Sequence, residues 1–259
     1  MDSRPSQQQR LISPQVFLST VRFGDLSSLR NLLDGLPSSA DGGDDNDRAA
    51  VSVLMALQND AGETALYIAA DNNLEEIFSY LLSFSDLKTA SIKTKVGIDA
   101  FHIAAKKGNL GIVKELLSRW PELCNSCDPS NTSPLYVAAV KDHLDVVNAI
   151  LDADETAARI VRKNGKTSLH TVARTGCHRI VKTLLERDPE IVSIKDKKGQ
   201  TALHMAVKGK NTDVVEEMLL VDLSILNIRD RKGNTALHIA TRKWRPQVFC
   251  LEMPIIFSV

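Results

Sequence analysis

The chain has 259 residues, 43% of them hydrophobic but only 5% aromatic, so it has material for a substantial core and that core is aliphatic. Its 32 Lys and Arg cancel its 32 Asp and Glu, so bulk charge selects no polyanion, and only the placement of charges is informative. MDSRPSQQQR at the N-terminus lacks an apolar signal segment, no run is long and apolar enough for a membrane span, and four cysteines make no disulfide framework. The expectation is a soluble, cytoplasmic chain.

In chain order, residues 1–14 read as a disordered N-terminus. Residues 15–35, within which most of VFLSTVRFGDLSSLRNLLDGL (16–36) falls, read as two helices serving as an N-terminal cap. Residues 36–58 contain PSSADGGDDND, with four aspartates, and read as an acidic insert and linker. A repeat then takes over residues 59–248. Its landmark positions are Leu66, Phe101, Leu135, Leu169, Leu203 and Leu237, at intervals of 35, 34, 34, 34 and 34.

Units open on a turn (NDAGET, DPSNTS, RKNGKT, DKKGQT, DRKGNT), most of them with glycine at the fourth place, where a tight turn needs positive φ. Thr64, Ser133, Thr167, Thr201 and Thr235 then stand as helix N-caps, and Asp99 is a chemically adequate substitute. Pro134 sits at a first helical position. A short first helix follows, carrying Leu203, Ala206 and Val207 on one face in the Leu203 unit. The second helix of that unit places Val214, Val215, Met218 and Leu219 on one face. Helices this short are unstable alone and must bury their faces against neighbouring copies.

After Val248 the pattern fails. FCLEMPIIFSV has a helix-blocking Pro254 and an apolar end, so residues 249–259 read as an aberrant tail on an array cut short. Trp244 occupies a position where other units have glycine.

The unit motif G-x-T-[AP]-L-[HY]-x-A-A, seen as GETALYIAA, GKTSLHTVA, GQTALHMAV and GNTALHIAT, resembles the ankyrin repeat. The resemblance implies an all-α solenoid of stacked helix-turn-helix units, with turns projecting as fingers beside a concave face. The loops RWPELCNSCD and RDPEIVSIKD are similar to plant ankyrin-repeat transmembrane proteins, whose C-terminal hydrophobic domain is absent here. Relatives of that kind imply a membrane location facing the cytosol and a signalling role.

The positions that face the groove in ankyrin arrays are, in the last five units, unusually basic. They hold Lys95, Lys106, Lys107, Lys141, Lys163, Lys166, Arg174, Lys197, Lys198, Lys208, Arg231, Lys232, Arg242 and Lys243, with no acid among them. The Leu66 unit instead offers Asp60, Glu63 and Asp71. A single sign at this density costs stability, which an ordinary solvated surface has no reason to accept. These residues are therefore the candidate partner-binding set, suited to an acidic protein segment. The alternatives are a peripheral binder of anionic membrane surfaces and a poorly functional truncated form. Nucleic acid is disfavoured because no stacking aromatics interleave the cations.

Other candidates have plainer readings. His102, His170, His204 and His238 recur at one repeat position, too far apart from layer to layer to share a metal, and are expected to bond the turn backbone of the next unit. Cys124 and Cys127 form a C-x-x-C without further ligands. Glu216 and Glu217 read as a solvated pair. No catalytic motif is present, so the chain reads as a monomeric scaffold without enzyme activity, cofactor, metal or small-molecule substrate.

Overall fold

The computed structural model describes residues 13–33, 51–209 and 211–244. The expectations for residues 1–12, 34–50 and 245–259, which include most of the N-terminal segment, the aspartate-rich insert and the apolar tail, lie outside the described residues.

A pair of helices, Pro14–Phe23 and Leu26–Leu33, precedes the repeats and buries Phe17, Val21, Leu29 and Leu33. Residues 51–55, assigned to a linker from sequence, instead form a helical turn that buries Val51, Leu54 and Met55. The first helices of the six units are Ala65–Asp71, Ala100–Lys107, Pro134–Val140, Ser168–Thr175, Ala202–Ala206 and Ala236–Arg242. The second helices are Glu75–Leu82, Leu110–Arg119, Leu144–Ala153, His178–Arg187 and Asp213–Val221. First helices pack on first helices and second on second, giving two parallel rows with one continuous core between them. The described residues contain no strand, and the architecture is the all-α repeat solenoid that the sequence implied.

Side-chain size explains the two rows. First helices bury small residues against each other, such as Ala69 and Ala70, Ala104 and Ala105, or Ala138 and Ala139. Second helices bury a repeated bulky quartet: Ile112, Val113, Leu116 and Leu117, then Val146, Val147, Ile150 and Leu151, then Ile180, Val181, Leu184 and Leu185. Small residues let the first helices approach closely while bulky ones hold the second helices apart, which curves a solenoid toward its first-helix side. The expected face of Val214, Val215, Met218 and Leu219 is buried as a set. The first helix of the Leu203 unit is more enclosed than expected, with Ala202 to Ala206 all buried and Val207 lying just beyond its end.

The caps hold with one variation. The side chains of Thr64, Asp99 and Ser133 accept from the N–H of Tyr67, His102 and Tyr136, three residues on. In the Leu169 and Leu203 units the histidine takes over. His170 Nδ1 accepts from the Thr167 N–H at 3.2 Å, and its Nε2 lies 3.0 Å from the Gln200 carbonyl of the next unit. Because Nδ1 faces a donor and Nε2 an obligate acceptor, the proton resides on Nε2. His204 repeats the arrangement with Thr201 and Asn234 O. His102 Nε2 meets Thr132 O at 2.8 Å. The histidines thus clamp successive layers, as the sequence suggested.

Burial holds His170 and His204 below the usual histidine value of 6.5, outweighing the hydrogen bonds to the Gln200 and Asn234 carbonyls that favour the protonated ring. Folded His170 and His204 therefore take up protons less readily than the unfolded chain. Their stabilising contribution is complete above about pH 6.5 and is lost as pH falls below it. Urea midpoints are expected to drop between about pH 7.5 and about pH 5.5, well before aspartates titrate. A flat midpoint over that interval would contradict the neutral clamp.

The fingers are tied by backbone bonds. The N–H groups of Lys95, Lys163, Lys197 and Arg231 donate to Ala61 O, Ser130 O, Asn164 O and Lys198 O of the preceding finger. Pro129 has no N–H at the equivalent place, and its ring packs over Gly97 instead. Gly165 and Gly233 share a left-handed φ of 79°. A Cβ on Gly165 would stand 2.7 Å from Lys197 N, whereas one on Gly233 would meet nothing within 4 Å. Gly233→Ala is therefore expected to cost about 1–2 kcal/mol from left-handed strain alone. Gly165→Ala should cost at least about 1 kcal/mol more through overpacking, read by denaturant unfolding.

Candidate functional site

The fingers at Asp128, Asp196 and Asp230 are each built around a carboxylate. Asp196 Oδ1 accepts from the N–H groups of Lys198 (2.8 Å) and Gln200 (2.9 Å), and Asp230 Oδ1 accepts from those of Lys232 (2.9 Å) and Asn234 (3.0 Å). Asp230 Oδ2 also accepts from Gln200 Nε2 at 2.9 Å. Desolvation would raise the Asp230 pKa, but these donors outweigh it and hold it at about 2. The carboxylates are consumed inside the turns, and the side chains these two fingers present outward, Lys197, Lys198, Arg231 and Lys232, have no carboxylate partner among the described residues. Lys95 and Lys163 project from equivalent turns and are exposed.

The other half of the face comes from first-helix ends. Lys106, Lys107, Lys141, Arg174, Arg242 and Lys243 are exposed at or just past a helix C-terminus, where a cation also complements the helix dipole. Lys166 and Lys208 are half-buried, with ammonium groups 4.0 and 3.7 Å from Met205 Sδ, and Lys208 also donates to Gln200 Oε1 at 2.8 Å. Lys208 is pushed below the usual lysine range, first by desolvation and then by the fields of Lys166 and Arg174. Cations of two adjacent units therefore share one space.

Ion pairs are concentrated on the loops and sparse on this face. Along the loops after the second helices, Arg159 is held by Asp188 (2.6 Å) and Glu190 (2.7 Å), and Arg187 by Asp152 and Glu155. On the basic face, Lys107 alone among the fourteen candidates pairs with an acid, Asp71 of the preceding unit, at 3.0 Å. The remaining thirteen lack a carboxylate partner among the described residues. Fingers and helix ends of the last two units enclose a cleft of about 480 Å³, lined by Lys197, Lys198, Lys208, Arg231, Lys232 and Arg242 together with Gln200, Asp230 and Asn234.

Arg162 is a contributor that the sequence reading missed. It stands where other fingers have the turn aspartate, and its guanidinium lies 4.9 Å from the Tyr136 ring centroid. It donates to Thr132 Oγ1 at 3.1 Å and has no carboxylate partner among the described residues. An arginine in place of the turn's Asp was the available signal. One smaller reading changes. Glu217 is not simply solvated, because His178 Nε2 lies 3.0 Å from its carboxylate. Cys124 is fully buried in the core, and burial pushes its thiol up to about 12. Cys124 and Cys127 form no disulfide. Among the described residues no group of three or more His, Cys, Asp or Glu is arranged to hold a metal.

Stacked two-helix units with finger turns beside a first-helix face define a repeat protein of the ankyrin class, and the sequence comparisons agree. Residues 21–119 and 101–194 match the family described as ankyrin repeats (3 copies), and residues 184–240 match ankyrin repeats (many copies). The chain belongs to the ankyrin-repeat family, whose members generally mediate protein–protein interaction rather than catalysis.

Particular relatives are plant proteins. The chain is 61% identical over 126 residues, 49% of its length, to ankyrin repeat-containing protein At2g01680 of Arabidopsis thaliana. It is 47% identical over 89 residues, 34% of its length, to ankyrin repeat-containing protein At5g02620, and 38% identical over 116 residues, 42% of its length, to ankyrin repeat-containing protein ITN1, both of the same plant. The matched stretches span 24%, 17% and 20% of those three relatives. No helix among the described residues is long and apolar enough to cross a membrane.

Proposed function

We propose that this chain is a protein-interaction scaffold, without catalytic activity, that grips an acidic partner segment along its basic first-helix face. The observation that carries this reading is the gathering of one sign of charge: thirteen of the fourteen cations of the face have no carboxylate partner among the described residues, and six of them border a single cleft. Uncompensated like charge destabilises the free protein, and a polyanionic chain laid across it relieves that repulsion. The fourteen sequence-derived cations are the proposed contact set, with Lys107 contributing least because Asp71 already holds it. A cytosolic signalling role is part of the same proposal, as the resemblance to plant ankyrin-repeat transmembrane proteins implies.

Titration with poly-L-glutamate at about 50 mM and about 300 mM salt tests the reading, because exposed charge pairs weaken as the Debye length shrinks. Binding that falls steeply with salt is the expected result. Binding to phosphatidylserine vesicles without binding to polyglutamate would replace it with a membrane-surface reading. Binding to neither would remove the docking role from this face.

A further inference from the structure

We infer that the cleft between the Leu203 and Leu237 units is a phosphate-binding pocket, and that the acidic segment taken by this face is a phosphorylated one whose phosphate monoester seats there. The inference rests on the scaffold reading and names the chemistry of its partner more narrowly.

Charge is the first argument. Six cationic side chains border a cleft of only about 480 Å³. The one carboxylate at its wall, Asp230, is spent on the N–H groups of Lys232 and Asn234 and on the Gln200 amide. Neither arginine of the cleft, Arg231 or Arg242, has an acidic partner among the described residues. A carboxylate brings one negative charge to such a site, whereas a phosphate monoester brings between about −1.5 and −2.

Geometry is the second. Donors converge from separate elements: Lys197 and Lys198 from one finger, Arg231 and Lys232 from the next, and Lys208 and Arg242 from the ends of two first helices. A carboxylate has two oxygens in one plane and satisfies donors from one direction. A phosphate has three terminal oxygens pointing three ways, which suits donors on several walls. Two guanidinium forks add the bidentate contacts that phosphate accepts well. Towards the N-terminus, Lys166, Arg174, Lys163 and Lys141 continue the face and would take acidic residues flanking the phosphorylated side chain.

The test uses the full chain and three fluorescent Glu/Ser-rich peptides: one with a central phosphoserine, one unphosphorylated, and one with two extra glutamates matching the phosphate's charge. The phosphopeptide is expected to bind about ten-fold tighter than the charge-matched peptide. Arg231→Lys with Arg242→Lys keeps the charge but removes the forks, and should abolish the preference for the phosphopeptide over the charge-matched peptide. Equal affinity of the phosphorylated and charge-matched peptides for the unmodified protein would overturn the phosphate inference and leave the scaffold reading standing. Failure of all three to bind would overturn both. Inorganic phosphate competing as well as the phosphopeptide, or phosphoinositide vesicles binding where the phosphopeptide does not, would overturn the peptide as the source of the phosphate.

Discussion

Replacing Phe101 by alanine is expected to lower the unfolding free energy by about 3–5 kcal/mol. Phe101 stands where the other units have leucine, and none of its surface reaches solvent. It lies in the first helix Ala100–Lys107, packed between the corresponding helices of both neighbouring units, so its loss opens a cavity at two unit interfaces. Because each unit is held only by its neighbours, a defect in the middle of the stack uncouples the two halves as well as weakening both. Denaturant unfolding should show a lower midpoint and a broadened or split transition. Phe101→Leu restores the residue of the other units and should cost far less, about 1 kcal/mol. Phe23→Ala supplies the control: that ring is 85% exposed, and its removal should stay within about 0.5 kcal/mol.

The second large effect is expected from His170→Ala, at about 3 kcal/mol. The substitution strands the buried Thr167 N–H, which now donates to Nδ1 at 3.2 Å, and removes the Nε2 bond to Gln200 O at 3.0 Å. Gln200 O keeps the bond from Asp196 N, so the orphaned Thr167 donor and the space left by the ring carry the cost. The variant should also lose part of the stability change between neutral and mildly acidic pH, since one of the two depressed histidines is gone. A simple packing role predicts the loss of stability but leaves the pH slope unchanged.

The repeating fold was legible because it is written at one fixed spacing. Cap, small-residue first helix and bulky second helix recur in register, and the structure buries Val214, Val215, Met218 and Leu219 together as that register requires. Features that break the register were harder to read. Four short 3-10 turns, Pro121–Asn125, Glu155–Arg159, Pro189–Ser193 and Leu223–Asn227, occupy what the sequence suggested were plain loops. Asp154, Asp188 and Asp222 cap three of them through the N–H two residues on, a local pattern too short to carry periodicity. Likewise the helical turn at residues 51–55 is a single apolar cluster without a partner copy.

The candidate site divides in the same way. Placing a cation on the face needs only its position within a unit, and twelve of the fourteen are exposed, while Lys166 and Lys208 are half-buried. Knowing which cation is already paired needs the offset between units. Lys107 reaches back to Asp71, Lys166 and Lys208 converge on Met205, and Arg162 lies over Tyr136. Apart from Lys208 to Met205, which lie three residues apart, these contacts join residues of adjacent units and depend on how the layers stack, which a one-unit pattern does not specify.

The central claim concerns where charge acts, and net charge alone could imitate it. Two double variants with identical charge change separate these: Lys198→Glu with Lys232→Glu on the basic face, and Lys114→Glu with Lys182→Glu on the second helices, where both lysines are exposed. Each is titrated with polyglutamate beside the unmodified protein, with circular dichroism confirming that the helices persist. The face variant should bind at least about 100-fold more weakly, taking about 1.5 kcal/mol for each of two close charge pairs, while the second-helix variant should change only a few-fold. Equal weakening in both, or none in the face variant, would contradict a docking site on the first-helix face.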